Sequence, residues 1–362
     1  MHQTFQQKLA NWLICGTLVF SGAACQPLQA KETSVHIKPD PRELIVLAAI
    51  NANDPYYQPI AAKVFDFHLA YARKIAQYDR VLVLTDDISY MKYMKELGAD
   101  KVAITPQLDI WARDFSLSNA NNPMMFRYTS AGQGGGRTGQ DDADAVQKTF
   151  AEMLETADLS FAESDLLNDG GNFVDDYAGN VVISRKFLRD NHLSEGTARQ
   201  AILSLGGVTN VAFIEADEQG GLEHADGVVA FIGPNSLVVN SYPTDPAYAA
   251  QLHADLRAGL PGVVITELVT PYDGSQIYDQ RFGSACGLYT NMLVTPERIY
   301  FPQFGIAEDQ IALEQLRAVT SKTIVLVLSE PVCQMGGGVR CMSWQLRGEN
   351  AESILRHFGK GG

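Results

Sequence analysis

Near the end of the chain three glycines run up to a cysteine, in Gln334-Met335-Gly336-Gly337-Gly338-Val339-Arg340-Cys341. Glycine admits positive φ and lets backbone come close to a ligand, so a thiol just beyond such a run could reach a substrate carbon. Read alone, the run is also what a tight turn before a buried cysteine looks like, because free Cys is among the most buried residue types. Three earlier segments point to chemistry instead. Trp111-Ala112-Arg113-Asp114, Asn168-Asp169-Gly170-Gly171-Asn172 and Glu223-His224-Ala225-Asp226-Gly227 each bring carboxylates or a histidine to the end of an apolar strand. A thiol, an imidazole and several carboxylates are the set needed to attack the carbon of a cationic guanidinium. That group is planar with five N–H donors, and carboxylates in its plane accept paired hydrogen bonds. Asp114 and Asp226 are the candidates for holding it, Cys341 for the nucleophile and His224 for the proton carrier. This chemistry calls for no metal or other cofactor, and no closely spaced Cys/His pair suggests a zinc site.

The elements that must position these groups follow one grammar. Continuous apolar runs at 44–50, 80–84, 102–104, 181–184, 210–214, 236–240, 263–267, 298–302 and 323–328 predict buried strands, and a further strand is expected at 159–163. Helical spacing over 60–77, 89–97, 142–155, 195–205, 246–258 and 307–318 predicts the helices between them. A Gly-rich stretch, Ala131 to Gly139, reads as a mobile loop. The order strand, helix, strand, polar-tipped strand recurs in five passes, each longer than a usual solenoid repeat. Five units around an axis would gather their polar tips at one central site, as propeller blades do. An open α/β sheet with insertions is the plainer alternative.

The chain has 362 residues and a formal net charge of −14. Nucleic-acid binders show a basic patch or stripe; no Lys/Arg cluster occurs here, and the acidic balance suits small cationic or peptide ligands. His2 and Lys8 precede the apolar run Trp12 to Phe20, and small residues Ser21-Gly22-Ala23-Ala24-Cys25 follow. That order predicts a secretory signal over residues 1–30, cut after Ala23 or Ala30, then a polar linker over 31–42 and a single domain over 43–362. Cys25 could be a lipoprotein cysteine, the only route to a membrane partner, although Gly22 stands where an aliphatic residue is wanted. An uncleaved anchor is the third option, with an apolar run short of the ~20 residues a span needs. The protein is thus expected outside the cytoplasm, periplasmic or secreted. There Cys286 and Cys333 could pair and leave Cys341 free.

The ordered set Trp-Ala-Arg-Asp (111–114), Asp-Gly-Gly-Asn (169–172), His-Ala-Asp (224–226), Tyr-Thr-Asn (289–291) and Gly-Gly-Gly-Val-Arg-Cys (336–341) resembles the motif series of the agmatine deiminase and bacterial, Porphyromonas-type peptidylarginine deiminase family. The resemblance spans most of the chain beyond the leader. It implies the fold of guanidino-group-modifying enzymes, an α/β five-bladed propeller (pentein) of strand-helix-strand repeats around a central active site. Three positions depart from the pattern: Asp169 stands where Glu is usual, Arg340 where His precedes the cysteine, and Gly227 where agmatine deiminases commonly carry Asn.

On this reading Cys341, His224, Asp226 and Asp114 are catalytic. Trp111 would cover the guanidinium plane by a cation–π contact or belong to the core. Asn291 would line the site, while Asp169 and Asn172 would touch substrate or cap a loop. Arg113 reads as structural, His192 and His253 as surface residues. The expected reaction turns a guanidino group into a ureido group plus ammonia through a thiouronium on Cys341. Peptidyl or C-terminal arginine is the first choice of substrate, its carboxylate met by Arg137 or Arg127; agmatine is the alternative. A guanidino- or peptide-binding scaffold without turnover would not need both Cys and His, and a Cys–His–Asp peptidase would not need the surplus carboxylates.

Overall fold

Leu44–Ala48 is a strand buried along its whole length, as its unbroken apolar run predicts. The computed structural model describes residues 43–359, apart from 107–108, 121, 218–220, 276 and 279. The signal, the linker and Cys25 lie outside the described residues. Those that are described fall within one compact unit, Asp40–Gly362.

Among the described residues the strands form five separate sheets, and one unit recurs among them. A short strand pairs antiparallel with a second; a helix follows, and a third strand lies parallel to the second. Val174–Asp175, Asn180–Ser184 and Asn210–Ile214 make one such sheet. Val229–Gly233, Ser236–Asn240 and Val264–Leu268 make the next, across the helix Pro246–Gly259. Leu293–Val294, Arg298–Gln303 and Thr323–Leu328 make a third, across Glu308–Val319. Met124–Arg127 and Ala162–Leu167 lie parallel across Gly136–Thr156. The remaining sheet joins the two ends of the chain. Ser343–Leu346 pairs antiparallel with Leu44–Ala48, which lies parallel to Arg80–Thr85 across the helix Ala61–Ala76. The crossover helix is what lets the parallel pair form at all, since parallel strands need a long connection. Ala61–Ala76 buries Val64, Phe67, His68, Tyr71, Ala72 and Ile75, the stripe that 3.6-residue periodicity puts on one face.

The sequence motifs occupy one equivalent place in this scheme, the turn ahead of each unit's first strand. Ala112–Phe115 is a single helical turn. Gly170–Asn172 and Ala225–Gly227 are 3₁₀ turns ahead of Val174 and Val229. Residues 288–291 precede Leu293, and the glycine run with Cys341 precedes Ser343. Each is a backbone corner, so its side chains stand free of the sheet ladders.

Two expectations change. The stretch read as a mobile Gly-rich loop is a short 3₁₀ turn, Ala131–Gln133, followed by a helix that starts at Gly136 rather than Asp142. Gly139 is buried against the carbonyls of Gln133 and Ser130, where only a glycine fits. The strand expected at 159–163 runs instead over Ala162–Leu167. Cys286 and Cys333 form a disulfide, and Cys341 is a free, buried thiol. The bridge ties the 282–292 loop to Glu330–Cys333, the turn that leads into the glycine run.

Candidate active site

Cys341 is held by its neighbours on both sides of the thiol. Asn291 donates from Nδ2 to its Sγ at 3.1 Å, and Asp226 Oδ2 stands 4.0 Å from the sulfur. The Cys341 carbonyl accepts from the Arg113 amide at 3.0 Å, which ties the thiol's turn to the Trp111 motif. Trp111 lies so close against the glycine run that a Cβ on Gly337 would come within 2.2 Å of its ring. That glycine is needed for close approach. Thr290 fixes the next two corners together, its hydroxyl donating to Gly227 O and sharing a hydrogen bond with Asn240.

His224 sits between two carboxylates. Its Nε2 is 2.9 Å from Asp169 Oδ2, and its Nδ1 is 3.7 Å from Asp114 Oδ1. The backbone at Gly171 passes between them: a Cβ there would fall 2.4 Å from Nδ1 and 2.8 Å from Asp114 Oδ1, while the Gly171 amide donates to that same oxygen. Burial alone would depress the imidazole's pKa, but Asp114 and Asp169 outweigh it and raise it to about 9. Asp114 moves the other way from an ordinary carboxylate. Burial, with repulsion from Asp169 and Asp226, lifts it to about 7 against the pull of His224. Asp169, though buried too, is drawn below the carboxylate range by its bond to His224 and by the Thr129 amide. Burial and the carboxylates Asp226 and Asp114 push the Cys341 thiol well up. Burial and these carboxylates thus favour the neutral thiol and the imidazolium, and a cation arriving at the sulfur would shift the thiol toward thiolate.

Asp226 is already paired. Arg340 donates to its Oδ2 at 2.7 Å and, from NH2, to Phe173 O at 2.8 Å, with both side chains buried. Arg113, also buried, turns away and donates to Gln345 Oε1 at 2.9 Å.

These groups open onto a cavity of about 490 Å³ whose lining includes His224, Asp226, Asn291, Cys341, Tyr242 and Asp217. A small adjoining cavity is walled by Trp111, Asp114 and Cys341. Cys341, His224, Asp226, Asp114, Asn291 and Trp111 thus come together from separate corners of the fold. Four candidates for substrate contact stand elsewhere, Asn172 in the loop-bracing role that was its alternative. Asp169 stands behind His224, bonded to it and to Thr129 through both oxygens, and orients the imidazole rather than touching a ligand. Asn172 uses its side chain on Ser184 N, Ala225 N and Asn168 Oδ1, bracing the turn that carries His224. Arg127 lies on the surface, its guanidinium forked onto Asp144 at 3.1 and 2.7 Å. Arg137 is exposed on the first turn of its helix and lines neither cavity. Sequence reasoning missed the role of Arg340 and the part of the cavity lining formed by Asp217 and Tyr242. A charge next to the nucleophile was the available signal for the first; nothing local marked the second.

The sequence pattern of the Porphyromonas-type peptidyl-arginine deiminases matches residues 40–346. A candidate agmatine deiminase of Lactococcus lactis is 25% identical over 318 residues, covering 76% of this chain and 84% of its own. One from Enterococcus faecalis is 25% identical over 313 residues, covering 76% and 85%. Among solved structures, the agmatine deiminase of Enterococcus faecalis superposes with a TM-score of 0.70 at 19% identity, over 85% of this chain and 93% of that one. A candidate arginine deiminase from Porphyromonas gingivalis superposes with a TM-score of 0.63 at 16% identity, over 84% and 95%. With a family pattern running through nearly all of its described residues, the chain belongs to the Porphyromonas-type peptidyl-arginine deiminase family and is a deiminase-type hydrolase of C–N bonds.

Proposed function

We propose that this protein hydrolyses the guanidino group of a small, amine-tailed guanidine to a ureido group and ammonia, with Cys341 as covalent nucleophile. The observation that carries the reading is the thiol flanked by Asn291 and Asp226, beside an imidazolium fixed by two carboxylates, at the wall of one cavity. A guanidinium entering there would pair with Asp226 and Asp114 and, as a cation beside the sulfur, lower the thiol's pKa. The thiol gives its proton to water, and Sγ as thiolate bonds to the central carbon while the C=N π pair moves onto nitrogen. The C–N bond breaks as His224 gives its proton to the leaving nitrogen, which departs as ammonia. Water next adds to the thiouronium carbon and gives a proton back to His224; the S–C bond breaks and leaves the urea and the thiol. The five sheets with their corners converging on one thiol support an arrangement as five propeller blades around this site.

The tail is chosen by the rest of the cavity lining. Among the described residues the cavity lining carries Asp217 and Asp226 but no lysine or arginine. Asp217 also accepts from the Tyr242 hydroxyl at 2.7 Å. A carboxylate in the lining favours an amine over the carboxylate of a C-terminal arginine, and the Lactococcus and Enterococcus relatives carry agmatine in their names, while the family pattern carries peptidyl-arginine. A charge-assisted hydrogen bond contributes roughly 1.5–3 kcal/mol, so kcat/KM should favour agmatine over a Gly-Arg dipeptide by at least about tenfold, with Asp217→Asn losing most of that margin. Preference for the dipeptide, or an unchanged ratio in the variant, would return the choice to peptidyl arginine.

Export from the cytoplasm fits the same picture, because a disulfide such as Cys286–Cys333 persists in oxidising compartments. Intact-mass analysis of protein from its native cell is expected to find an N-terminus just beyond Ala23 or Ala30; after denaturation the second cut leaves one alkylatable thiol, Cys341, and the first leaves Cys25 as well. Soluble cytoplasmic protein that still carries Met1 would refute export.

A further inference from the structure

Arg340 is the residue before the nucleophile, yet its side chain runs away from the cavity's mouth and into the protein. Its guanidinium donates to Asp226 Oδ2 at 2.7 Å, to Phe173 O at 2.8 Å and, at 3.4 Å, to Gly170 O. Its backbone amide donates to Asn291 Oδ1 at 3.2 Å. Asn291 and Asp226 are the two side chains that flank the sulfur. A single residue therefore holds both groups at the thiol, one through its main chain and one through its side chain. The two backbone carbonyls fix the guanidinium plane, so the oxygen it takes from Asp226 is fixed as well.

We propose that Arg340 is a positioning residue for guanidinium binding: it ties down one oxygen of Asp226 and leaves the other turned to the cavity for the substrate. This rests on the deiminase reading above. Among the described residues Asp226 Oδ1 accepts no hydrogen bond, while Asp226 lines the cavity. The charge count agrees. Three buried carboxylates, Asp114, Asp169 and Asp226, face two cations, His224 and Arg340. The further charges that reach this cluster come in cancelling pairs, Arg113 with Asp175 and Lys186 with Asp190. The net of one negative charge is what a single guanidinium neutralises. Without Arg340 the excess would be two, in a site where an unpaired buried charge is costly. A lysine would restore the charge but not the planar fork that spans Asp226 and Phe173 O.

The test compares Arg340→Gln and Arg340→Lys, each alone and combined with Asp226→Asn. Steady-state kinetics with agmatine is one readout. Calorimetric binding of agmatine to the same set built on Cys341→Ala, which needs no turnover, is the second. Arg340→Gln is expected to raise KM and weaken binding by 10- to 100-fold with a smaller fall in kcat. Arg340→Lys should recover at least half of that loss on a logarithmic scale. In the Asp226→Asn background the Gln substitution should cost less than threefold, because interacting residues are non-additive; that double variant also relieves the unpaired carboxylate if Arg340→Gln alone fails to fold. An equal cost in both backgrounds, or no loss of binding in Arg340→Gln, overturns the proposal. Binding coupled to residues 226 and 340 without ureido product would keep the proposal and sink the deiminase reading. Turnover without that coupling would do the reverse, and no binding at all would overturn both.

Discussion

Cys341→Ser is expected to lower turnover by about 10⁴-fold or more, the scale seen when an activated nucleophile is removed, while agmatine binding changes by only a fewfold. The thiol is buried and its pKa is pushed up, so its surroundings favour the neutral form. Activation must come with the substrate, whose guanidinium would lie against both Asp226 and the sulfur. A serine hydroxyl starts from a far higher pKa, and the same cation cannot bring it into range. The volume change is small and Asn291 can donate to the new oxygen as it does to sulfur, so the fold should hold. Ureido production by colorimetry, isothermal titration for binding and mass spectrometry of acid-quenched protein check the three parts. Wild type should carry a covalent adduct on Cys341 during turnover and the serine variant none. If the variant keeps turnover within tenfold of wild type, the covalent route is wrong.

The parts of the site legible in the sequence share a physical cause. Asp114, His224, Asp226, Asn291 and Cys341 sit on corners ahead of buried strands. Such corners announce themselves by glycines and polar residues at the end of an apolar run. The glycines at 171 and 337 are there for contact with His224 and Trp111, which the chain sequence cannot display. Pairings over long separations are hidden for the same reason. Ser343–Leu346 closes onto Leu44–Ala48 with Leu47 opposite Ser343, and four residues right after a nucleophile give no period to read. The helix Gly348–Phe358 is masked behind it, though its buried Ala351 and Ile354 are three apart as an amphipathic face requires. Arg127 ends a strand, a place from which a side chain could equally face a ligand or the surface. Its partner Asp144 comes from the helix that follows the Gly-rich stretch, a contact across 17 residues that no local pattern displays. Arg340 is visible as a departure from the family pattern, but sequence adjacency to Cys341 says nothing about the direction in which a long side chain runs.

The pH dependence should carry the signature of His224 and Asp114 together. In the free enzyme the reaction needs Asp114 as carboxylate to receive the guanidinium and His224 as imidazolium to protonate the leaving nitrogen. The first is gained as pH rises through about 7, the second is lost as pH rises through about 9. The plot of kcat/KM, which reports the free enzyme, should therefore be a bell with limbs near those values, and the limbs belong to the linked Asp114–His224–Asp169 cluster rather than to one residue. The guanidinium stays charged throughout this range, whereas an alkylamine tail begins to lose its proton toward pH 10, so the profiles are also taken with an alkylguanidine that lacks the amine. On kcat the acid limb should move to lower pH, because a bound cation favours the Asp114 carboxylate. His224→Gln keeps a side chain that can bridge Asp169 and Asp114 but carries no transferable proton near neutrality. It should lose roughly 10²–10⁴-fold in kcat and the whole of the limb near 9. Asp114→Asn should instead remove the limb near 7 and raise KM, the guanidinium having lost one of its two carboxylates. Rate profiles from pH 5 to 10 on the three proteins make the comparison. A His224→Gln variant that retains a basic limb near 9 at a near-normal rate would mean that another group delivers the proton and that His224 is not the general acid.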